Sequence, residues 1–255
     1  MIDKRIAIIP IVIIAGLGII LVANVFLETV ATGIVSTRPT VTTTGTAVPV
    51  TPAVLANGNV ALPAPDHKTA KTLDAVLENR RSVRQYKDAA LTIPQVSKIL
   101  WAGQGITNTT SGKRTAPSAM ATYPLTLYLA AQNITGLTQG VYAYEPTGHS
   151  LVMYKDKTGM AQLLQAQGQP SALTAPATIF IVANYSPFEK FGNEVALEST
   201  SFESGHVAQN ILLMATELDL SGVPMTGYNA TTVENALALD KNHHAIYTVA
   251  IGVAQ

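Results

Sequence analysis

Hydrophobic and polar positions divide the chain into three stretches with different patterns. From Ile6 to Leu27 almost every residue is apolar, and Asn24 is the only strongly polar side chain. A helix needs about 20 such residues to cross the hydrocarbon core of a membrane. The next stretch is rich in Thr, Pro, Val and Ala, and its prolines stiffen the backbone and remove hydrogen-bond donors. We therefore expect a transmembrane anchor over 1–28, a disordered and exposed linker over 29–66, and a folded domain over 67–255.

Within the third stretch, the apolar spacing changes between helical and strand periods. The pattern predicts helices over 70–79, from Thr92 onward, and over 160–165, 203–218 and 233–239. It predicts strands over 125–131, 177–185 and 245–253, and a hairpin over 140–154 around a Pro-Thr-Gly turn. Because helices and strands do not alternate regularly, the pattern favours an α+β fold over a doubly wound parallel sheet.

Charge and composition indicate where the domain is located and which kinds of chemistry it does not use. Lys4 and Arg5 precede the apolar stretch and Glu28 follows it, so we expect a cytoplasmic N-terminus and a domain on the extracytoplasmic side. A cleaved signal peptide is the alternative interpretation. The 16 basic and 16 acidic residues give no net charge, which provides no electrostatic case for nucleic acid. The absence of cysteine excludes disulfides, cysteine nucleophiles and iron–sulfur ligation.

Two segments carry the candidate chemistry, NRRSVRQY at 79–86 and RTAPSAMATYPLTLYL at 114–129. The first contains three arginines around Ser82, and guanidinium groups donate in pairs to phosphate oxygens and carbonyl edges. The second contains small residues before a strand, which allow a flat ligand to approach the backbone. The two segments together predict a site for a phosphorylated planar cofactor.

These segments, followed by ESGHVAQNILLMATELDL at 203–220 and VPMTGY at 223–228, resemble the nitroreductase family of FMN flavoproteins over residues 71–253. The likeness is greatest to the SagB-type dehydrogenase branch of that family. The resemblance implies a mainly antiparallel central sheet flanked by helices. It also implies a homodimer with the 203–218 helix at its centre and FMN at the subunit interface. From the residues alone, that helix fits a monomeric core equally well.

The resemblance also assigns individual residues to the cofactor. It implies that the arginine segment contacts the FMN phosphate, ribityl chain and pyrimidine edge, and that a main-chain N–H of the Pro-x-x-Gly turn donates to flavin N5. The cofactor-binding residues are then Arg80, Ser82, Arg84, Pro117, Ser118, Ala119, Met120, Pro224, Met225, Thr226, Gly227 and Lys241.

One residue in this set departs from the family pattern, because Met120 stands where relatives have glycine. Glycine adopts backbone angles that methionine adopts only at a cost. Two interpretations follow: the local turn differs from that of the family, or Met120 forms an apolar wall over the flavin ring.

The implied function is an FMN-dependent oxidoreductase that passes hydride from a reduced donor, NAD(P)H by analogy, to a small organic acceptor by a ping-pong mechanism. No side chain is expected to act as a catalyst, since the flavin carries the chemistry. Neighbouring histidines at 243 and 244 are interpreted as solvated, so no metal is expected. One alternative is a non-catalytic, membrane-anchored surface binding domain that has lost its flavin. Another is a passive subunit assembled through the N-terminal helix.

Overall fold

A computed structural model describes residues 53–55 and 58–255 of the chain. The strands are β1 (Ala53–Val54), β2 (Val60–Ala61), β3 (Leu91–Thr92), β4 (Ile106–Asn108), β5 (Lys113–Arg114), β6 (Leu125–Ala131), β7 (Ile134–Thr135), β8 (Gly140–Glu145), β9 (Ser150–Lys155), β10 (Ala177–Asn184), β11 (Ser221–Met225) and β12 (His243–Gly252). The helices are α1 (Leu73–Asn79), α2 (Ile93–Gln104), α3 (Lys157–Gln167), α4 (Pro170–Thr174), α5 (Asn193–Glu217) and α6 (Ala230–Leu237). Short 3-10 turns cover Ala119–Ala121 and Ser186–Phe191.

Eight strands form the central sheet, in the order β1-β2-β9-β8-β6-β10-β12-β11. Every neighbouring pair in this sheet is antiparallel. Strand β10 lies near the middle, and all but one of its residues are buried because helices cover both faces of the sheet. The prediction of an α+β fold with a mainly antiparallel sheet flanked by helices is confirmed.

Local sequence signals explain where the helices begin and end. Thr92 caps α2 by accepting from the Gln95 amide, while the Gln95 side chain accepts from the Thr92 amide. This reciprocal pair satisfies two amides that the helix leaves unpaired. Asp156 caps α3 by accepting from the Gly159 amide through its carboxylate, and Gly168 ends that helix in the left-handed conformation that glycine adopts without penalty.

Helices cover the two faces of the sheet with separate apolar cores. On one face, α2 and α5 contribute a layer that includes Ile99 and Ile211. On the other face, α3 and α6 contribute residues such as Leu163 and Val233. Helix α5 is the longest of the described helices, and at about 1.5 Å per residue its 25 residues extend roughly 37 Å along the first face.

The boundary between linker and domain differs from the prediction. Strand β2 pairs with β9 and β1 pairs with β2, so both extend the sheet within the range predicted to be an exposed linker. Leu62 is 7% exposed and belongs to the core of the α2 and α5 face. The physical reason is that positions 60 and 61 are valine and alanine rather than proline, so their backbone groups can pair with the edge of β9. The predicted anchor over 1–28 and the first part of the predicted linker lie outside the described residues.

Among the described residues, no helix is both long enough and apolar enough to cross a membrane.

His149 fixes the start of the domain to the sheet. One of its ring nitrogens lies 2.7 Å from the Ser97 hydroxyl and 3.1 Å from the Pro63 carbonyl oxygen, and the other lies 2.8 Å from the Tyr144 hydroxyl. Ser97 also donates to the Pro63 carbonyl at 2.6 Å. Burial lowers the pKa of His149, although the hydrogen bond with Pro63 raises it in part.

This environment predicts a pH dependence of stability. His149 has a pKa of about 6.5 in the unfolded chain and a lower pKa in the folded protein. The unfolded state therefore binds a proton first as the pH falls. The contribution of His149 to the free energy of unfolding is complete above about pH 6.5 and is lost as the pH falls below that value. Measured by urea unfolding, the free energy of unfolding should therefore decrease from pH 7 to pH 5 more steeply in the wild type than in His149→Gln. The control is His67→Gln, which replaces an exposed histidine. Equal slopes in wild type and His149→Gln would contradict the assignment.

Candidate functional site

The arginine segment begins where α1 ends. Arg81 donates from its guanidinium to the carbonyl oxygens of Glu78 and Arg80, at 2.7 and 2.8 Å, and so caps the helix. The side chains of Arg80 and Arg84 form no hydrogen bond or ion pair with any described residue. Ser82 and Arg84 are exposed and Arg80 is partly exposed. Two cations and one hydroxyl are thus available to a ligand, while Arg81 has a structural role.

This segment lies beside β11. Ser82 pairs with Gly222, and the Val83 amide donates to the Gly222 carbonyl at 3.2 Å. A Cβ atom at position 222 would lie 2.8 Å from the Ala250 carbonyl oxygen, so glycine is required here for the close packing of β11 against β12. Tyr86 then anchors the segment, because its hydroxyl donates to the carbonyls of Val83 and Ala250. Burial raises the pKa of Tyr86, which keeps the phenol protonated as a donor.

Strand β11 ends in the predicted flavin-binding turn. Met225 is buried, whereas Thr226 and Gly227 are exposed. The carbonyl of Thr226 accepts from the Tyr228 amide at 2.9 Å, and that of Gly227 accepts from the Gln169 side chain at 2.6 Å. Neither the Thr226 nor the Gly227 amide donates to any described residue. The turn is therefore held through its carbonyls and presents its N–H groups outward.

Four residues of β11 separate the arginine segment from this turn. At about 3.3 Å per residue, Gly222 and Thr226 lie roughly 13 Å apart. A flavin mononucleotide, which has its phosphate at one end and its ring at the other, can span such a separation. A cavity of about 340 Å³ adjoins the turn and includes Thr226 and Tyr228 in its lining.

The loop of Pro117, Ser118, Ala119 and Met120 has a strained backbone. Met120 and Ala121 have φ angles of 54° and 55°, and Tyr123 follows with 47°. For residues other than glycine, this left-handed conformation costs roughly 1–2 kcal/mol each. The Ser118 hydroxyl accepts from the Tyr123 amide at 2.8 Å and helps to hold the loop. Met120 therefore adopts the conformation that glycine would take without cost, and its side chain is 60% exposed.

Beneath this loop lies a polar cluster that the sequence interpretation missed. Arg114 donates to the Gln104 side chain at 2.7 Å, and its guanidinium carbon lies 4.8 Å from the centre of the Tyr123 ring. Glu203 of α5 is only 3% exposed, and burial raises its pKa. The nearby Ser118 hydroxyl, Arg114 and the Gln104 side chain each lower that pKa in part. A sequence signal existed, because Glu203 occupies the same helical stripe as the buried Val207 and Ile211.

The pairings of the sheet place the loop and the arginine segment at different levels along its strands. Ser82 pairs with Gly222, Gly222 pairs with Ile251, and Ile251 pairs with Ala177, so Ser82 lies at the level of Ala177 on β10. Leu125 pairs directly with Ala183, near the other end of β10. Six residues of β10 therefore separate the two levels, which is roughly 20 Å. The loop precedes Leu125 and lies near Glu203, in the middle of α5. The structure therefore does not bring these two predicted segments together at one level of the sheet.

Lys241 also lies away from the arginines. It comes two residues before His243, which pairs with Asn184 at the opposite end of β10 from Ala177. Seven residues of strand, roughly 23 Å, separate those levels. Lys241 is exposed, and the structure does not bring it to the arginine segment. The structure thus does not bring Lys241 together with Arg80, Ser82 and Arg84, with which the resemblance grouped it as a cofactor-binding residue.

Comparisons with known proteins identify the family. The nitroreductase family model matches residues 77–253. A candidate nitroreductase of Methanocaldococcus jannaschii is 38% identical over 176 residues, which are 69% of this chain and 88% of that protein.

Solved structures agree with this match. The crystal structure of a candidate nitroreductase from Ralstonia eutropha JMP134 has a TM-score of 0.68 and 26% identity, over 80% of this chain and 93% of that one. The NADPH:FMN oxidoreductase of Vibrio harveyi, complexed with NAD+, shares the fold with a TM-score of 0.52 and 18% identity, over 72% of this chain and 70% of that one.

The fold and the match over 77–253 define an oxidoreductase of the flavin-dependent kind. The chain belongs to the nitroreductase family.

Proposed function

We propose that the protein is an FMN-dependent oxidoreductase of the SagB-type branch. In this proposal, it takes hydride from a reduced donor, NAD(P)H, and passes it to a small organic acceptor. The observation that carries the proposal is the position of Arg80, Ser82 and Arg84 beside β11. Their side chains form no hydrogen bond with a described residue, and β11 ends in outward-facing amides. Cations and N–H donors along one strand edge fit a ligand with an anionic end and a polar ring.

The residues of this edge would divide the work of holding the cofactor. Arg80, Ser82 and Arg84 would bind the phosphate, ribityl chain and pyrimidine edge, since guanidinium forks donate in pairs to such oxygens. The Thr226 or Gly227 amide would orient the ring. Bound FMN would supply the hydride chemistry, and no protein side chain would need to act as acid or nucleophile.

We further propose that the remaining contacts come from a second copy of the chain. Leu73 and Leu77 of α1 are 64% and 50% exposed, and Phe202 of α5 is 64% exposed. Such large apolar residues on neighbouring helices are typical of a surface that another chain covers. A twofold axis that crosses α5 between Glu203 and Glu217 would place these two levels opposite each other on the two long helices. The partner's Pro117–Met120 loop would then lie beside the arginine segment of the first chain.

Two further parts of the proposal concern the donor and the location. The Vibrio harveyi relative is complexed with NAD+, which supports a nicotinamide donor for this chain. Donor and acceptor would enter one opening in turn, as a ping-pong mechanism requires. The apolar stretch from Ile6 to Leu27 supports a membrane anchor with the domain on the extracytoplasmic side.

Replacing the free arginines tests the site directly. Arg80→Ala and Arg84→Ala should each weaken FMN binding by about tenfold or more, because each removes a charge-assisted donor. FMN affinity is measured by titration of the apoprotein with flavin fluorescence as the signal. Lys241→Ala is the matched control, since it removes an equally exposed cation far from the strand edge, and it should leave the affinity within about twofold. An equal loss in all three variants would contradict the specific role of the arginines.

The bound cofactor and the donor are tested by spectroscopy. The purified protein should be yellow, with the two visible absorption bands of oxidised flavin, and anaerobic NADH or NADPH should bleach the longer-wavelength band. An external acceptor added afterwards should restore it. A colourless protein that FMN cannot reconstitute would favour the surface binding domain without flavin. A yellow protein that neither nicotinamide bleaches would retain the flavin and contradict the donor.

A further inference from the structure

Two glutamines at the junction of α3 and α4 contact the end of β11. Helix α3 ends at Gln167, Gly168 turns the chain in a left-handed conformation, and Gln169 precedes α4. Gln167 is only 2% exposed, and its side-chain oxygen accepts from the Gln169 amide at 2.9 Å. Because a buried amide side chain costs free energy unless its polar atoms are hydrogen-bonded, the side-chain nitrogen of Gln167 also requires a partner. The remaining partners of the two glutamines lie in the turn at Thr226 and Gly227 and in the strand beside it.

The first glutamine reaches the turn through Thr248 of β12. Gln167 Nε2 donates to the Thr248 hydroxyl at 3.1 Å, and that hydroxyl donates to the Met225 carbonyl at 3.2 Å. Thr248 is completely buried and pairs with Met225 in the sheet. The Ser171 hydroxyl donates to the Met225 sulfur at 3.1 Å. Buried donors therefore fix both the carbonyl and the side chain of the residue that precedes Thr226.

The second glutamine contacts the turn directly. Gln169 Nε2 donates to the Gly227 carbonyl at 2.6 Å. A Cβ atom at position 227 would lie 2.9 Å from that same nitrogen, which is closer than Cβ atoms approach other atoms in proteins. The φ angle of Gly227 lies outside the left-handed region, so no unusual backbone angle calls for glycine at this position. Gly227 instead leaves the space in which the Gln169 side chain reaches the turn.

The planarity of the peptide unit transmits these contacts to the free amides of the turn. A carbonyl and the N–H of the next residue lie in one plane and point in opposite directions. The Met225 carbonyl therefore sets the direction of the Thr226 amide. The Gly227 carbonyl sets the direction of the Tyr228 amide, which donates to the Thr226 carbonyl at 2.9 Å. The Thr226 carbonyl in turn sets the direction of the Gly227 amide.

We propose that Gln169, supported by Gln167, is a positioning residue that directs the free amides of Thr226 and Gly227 toward the flavin ring. This inference rests on the proposed function, because those amides meet a flavin only if the protein binds FMN. Gln169 acts through the Gly227 carbonyl and does not touch the cofactor. Its role also accounts for the glycine of the Pro-x-x-Gly motif, since any side chain at 227 would displace the Gln169 amide.

The first test compares Gln169→Ala with Gln139→Ala in the full-length protein. Gln139 is the matched control, because its side chain also donates to a carbonyl, that of Gln132, at 2.6 Å. It precedes β8, which β6, β10 and β12 separate from β11. Hydrogen–deuterium exchange is measured without flavin. Gln169→Ala should accelerate exchange of the Tyr228 amide, and Gln139→Ala should not. Unchanged exchange of this amide in Gln169→Ala would overturn the proposal, whether or not the protein binds FMN.

Flavin affinity provides the second readout. Gln169→Ala should weaken FMN binding about fivefold, the effect of one lost hydrogen bond, whereas Gln139→Ala should change it by less than about twofold. Gln169→Glu keeps the size of the side chain but removes the donor, so it should weaken binding at least as much. A role in packing alone would leave the FMN affinity of Gln169→Glu unchanged, and that result would contradict the positioning role.

A double-mutant cycle tests the link between Gln169 and Gly227. Gly227→Ala should weaken FMN binding, and adding Gln169→Ala to it should weaken binding no further, because the alanine at 227 has already displaced the Gln169 amide. Losses that multiply in the double variant would refute the link. If the wild-type protein binds no FMN, the proposed function fails, while hydrogen–deuterium exchange still decides whether Gln169 holds the turn.

Discussion

The length of α5 and the sheet beneath it keep the two candidate cofactor segments apart. The Pro117–Met120 loop lies near Glu203, in the middle of this helix, and the arginine segment lies beside β11, which follows the end of the helix. Because a 25-residue helix is rigid over its length, the segments cannot approach each other within one chain without unfolding. The proposed function accommodates this separation with a composite site. In that proposal, a second chain would supply one half of each site, and the exposed leucines of α1 are part of the surface that assembly would cover.

The arginine segment and the Pro117–Met120 loop are held in place by different kinds of interaction. The arginine edge is preorganised by ordinary means, since β11, Gly222 and Tyr86 fix its backbone while its cations remain free. The loop instead adopts an unfavourable conformation, with positive φ angles at Met120 and Ala121, and the Ser118 hydroxyl accepts from the Tyr123 amide within it. Strain of this kind is common where a protein must present backbone groups to a ligand. The stability lost at Met120 is offset by the apolar cores on both faces of the sheet.

Much of the fold followed from the sequence, and the exceptions have physical causes. The 125–131 strand and the 140–154 hairpin were predicted well, because alternation is clear in half-buried strands. Helix α5 begins ten residues earlier than predicted, since residues 193–202 are largely exposed and carry little periodicity. The Pro-x-x-Gly segment was interpreted as a turn, but Pro224 and Met225 pair with β12 as part of a strand, because an edge strand tolerates Pro224. The local motifs that contain the candidate residues were visible in the sequence. The distance from Arg80 to Ser118, and that from Arg80 to Lys241, depend on which strands pair in the sheet, and no local pattern encodes those strand pairings.

The composite site is tested most directly by mixing two defective chains. One chain carries Arg80→Ala and Arg84→Ala, the other carries Ala119→Glu in the loop, and the two are coexpressed with different affinity tags. In a twofold dimer, the mixed pair contains one site with both defects and one site with neither. The account predicts that each parent dimer lacks FMN and that the purified mixed dimer binds about one FMN per dimer. Mixed dimers as free of flavin as their parents, or a monomeric wild-type chain that binds FMN as tightly as the dimer, would contradict it.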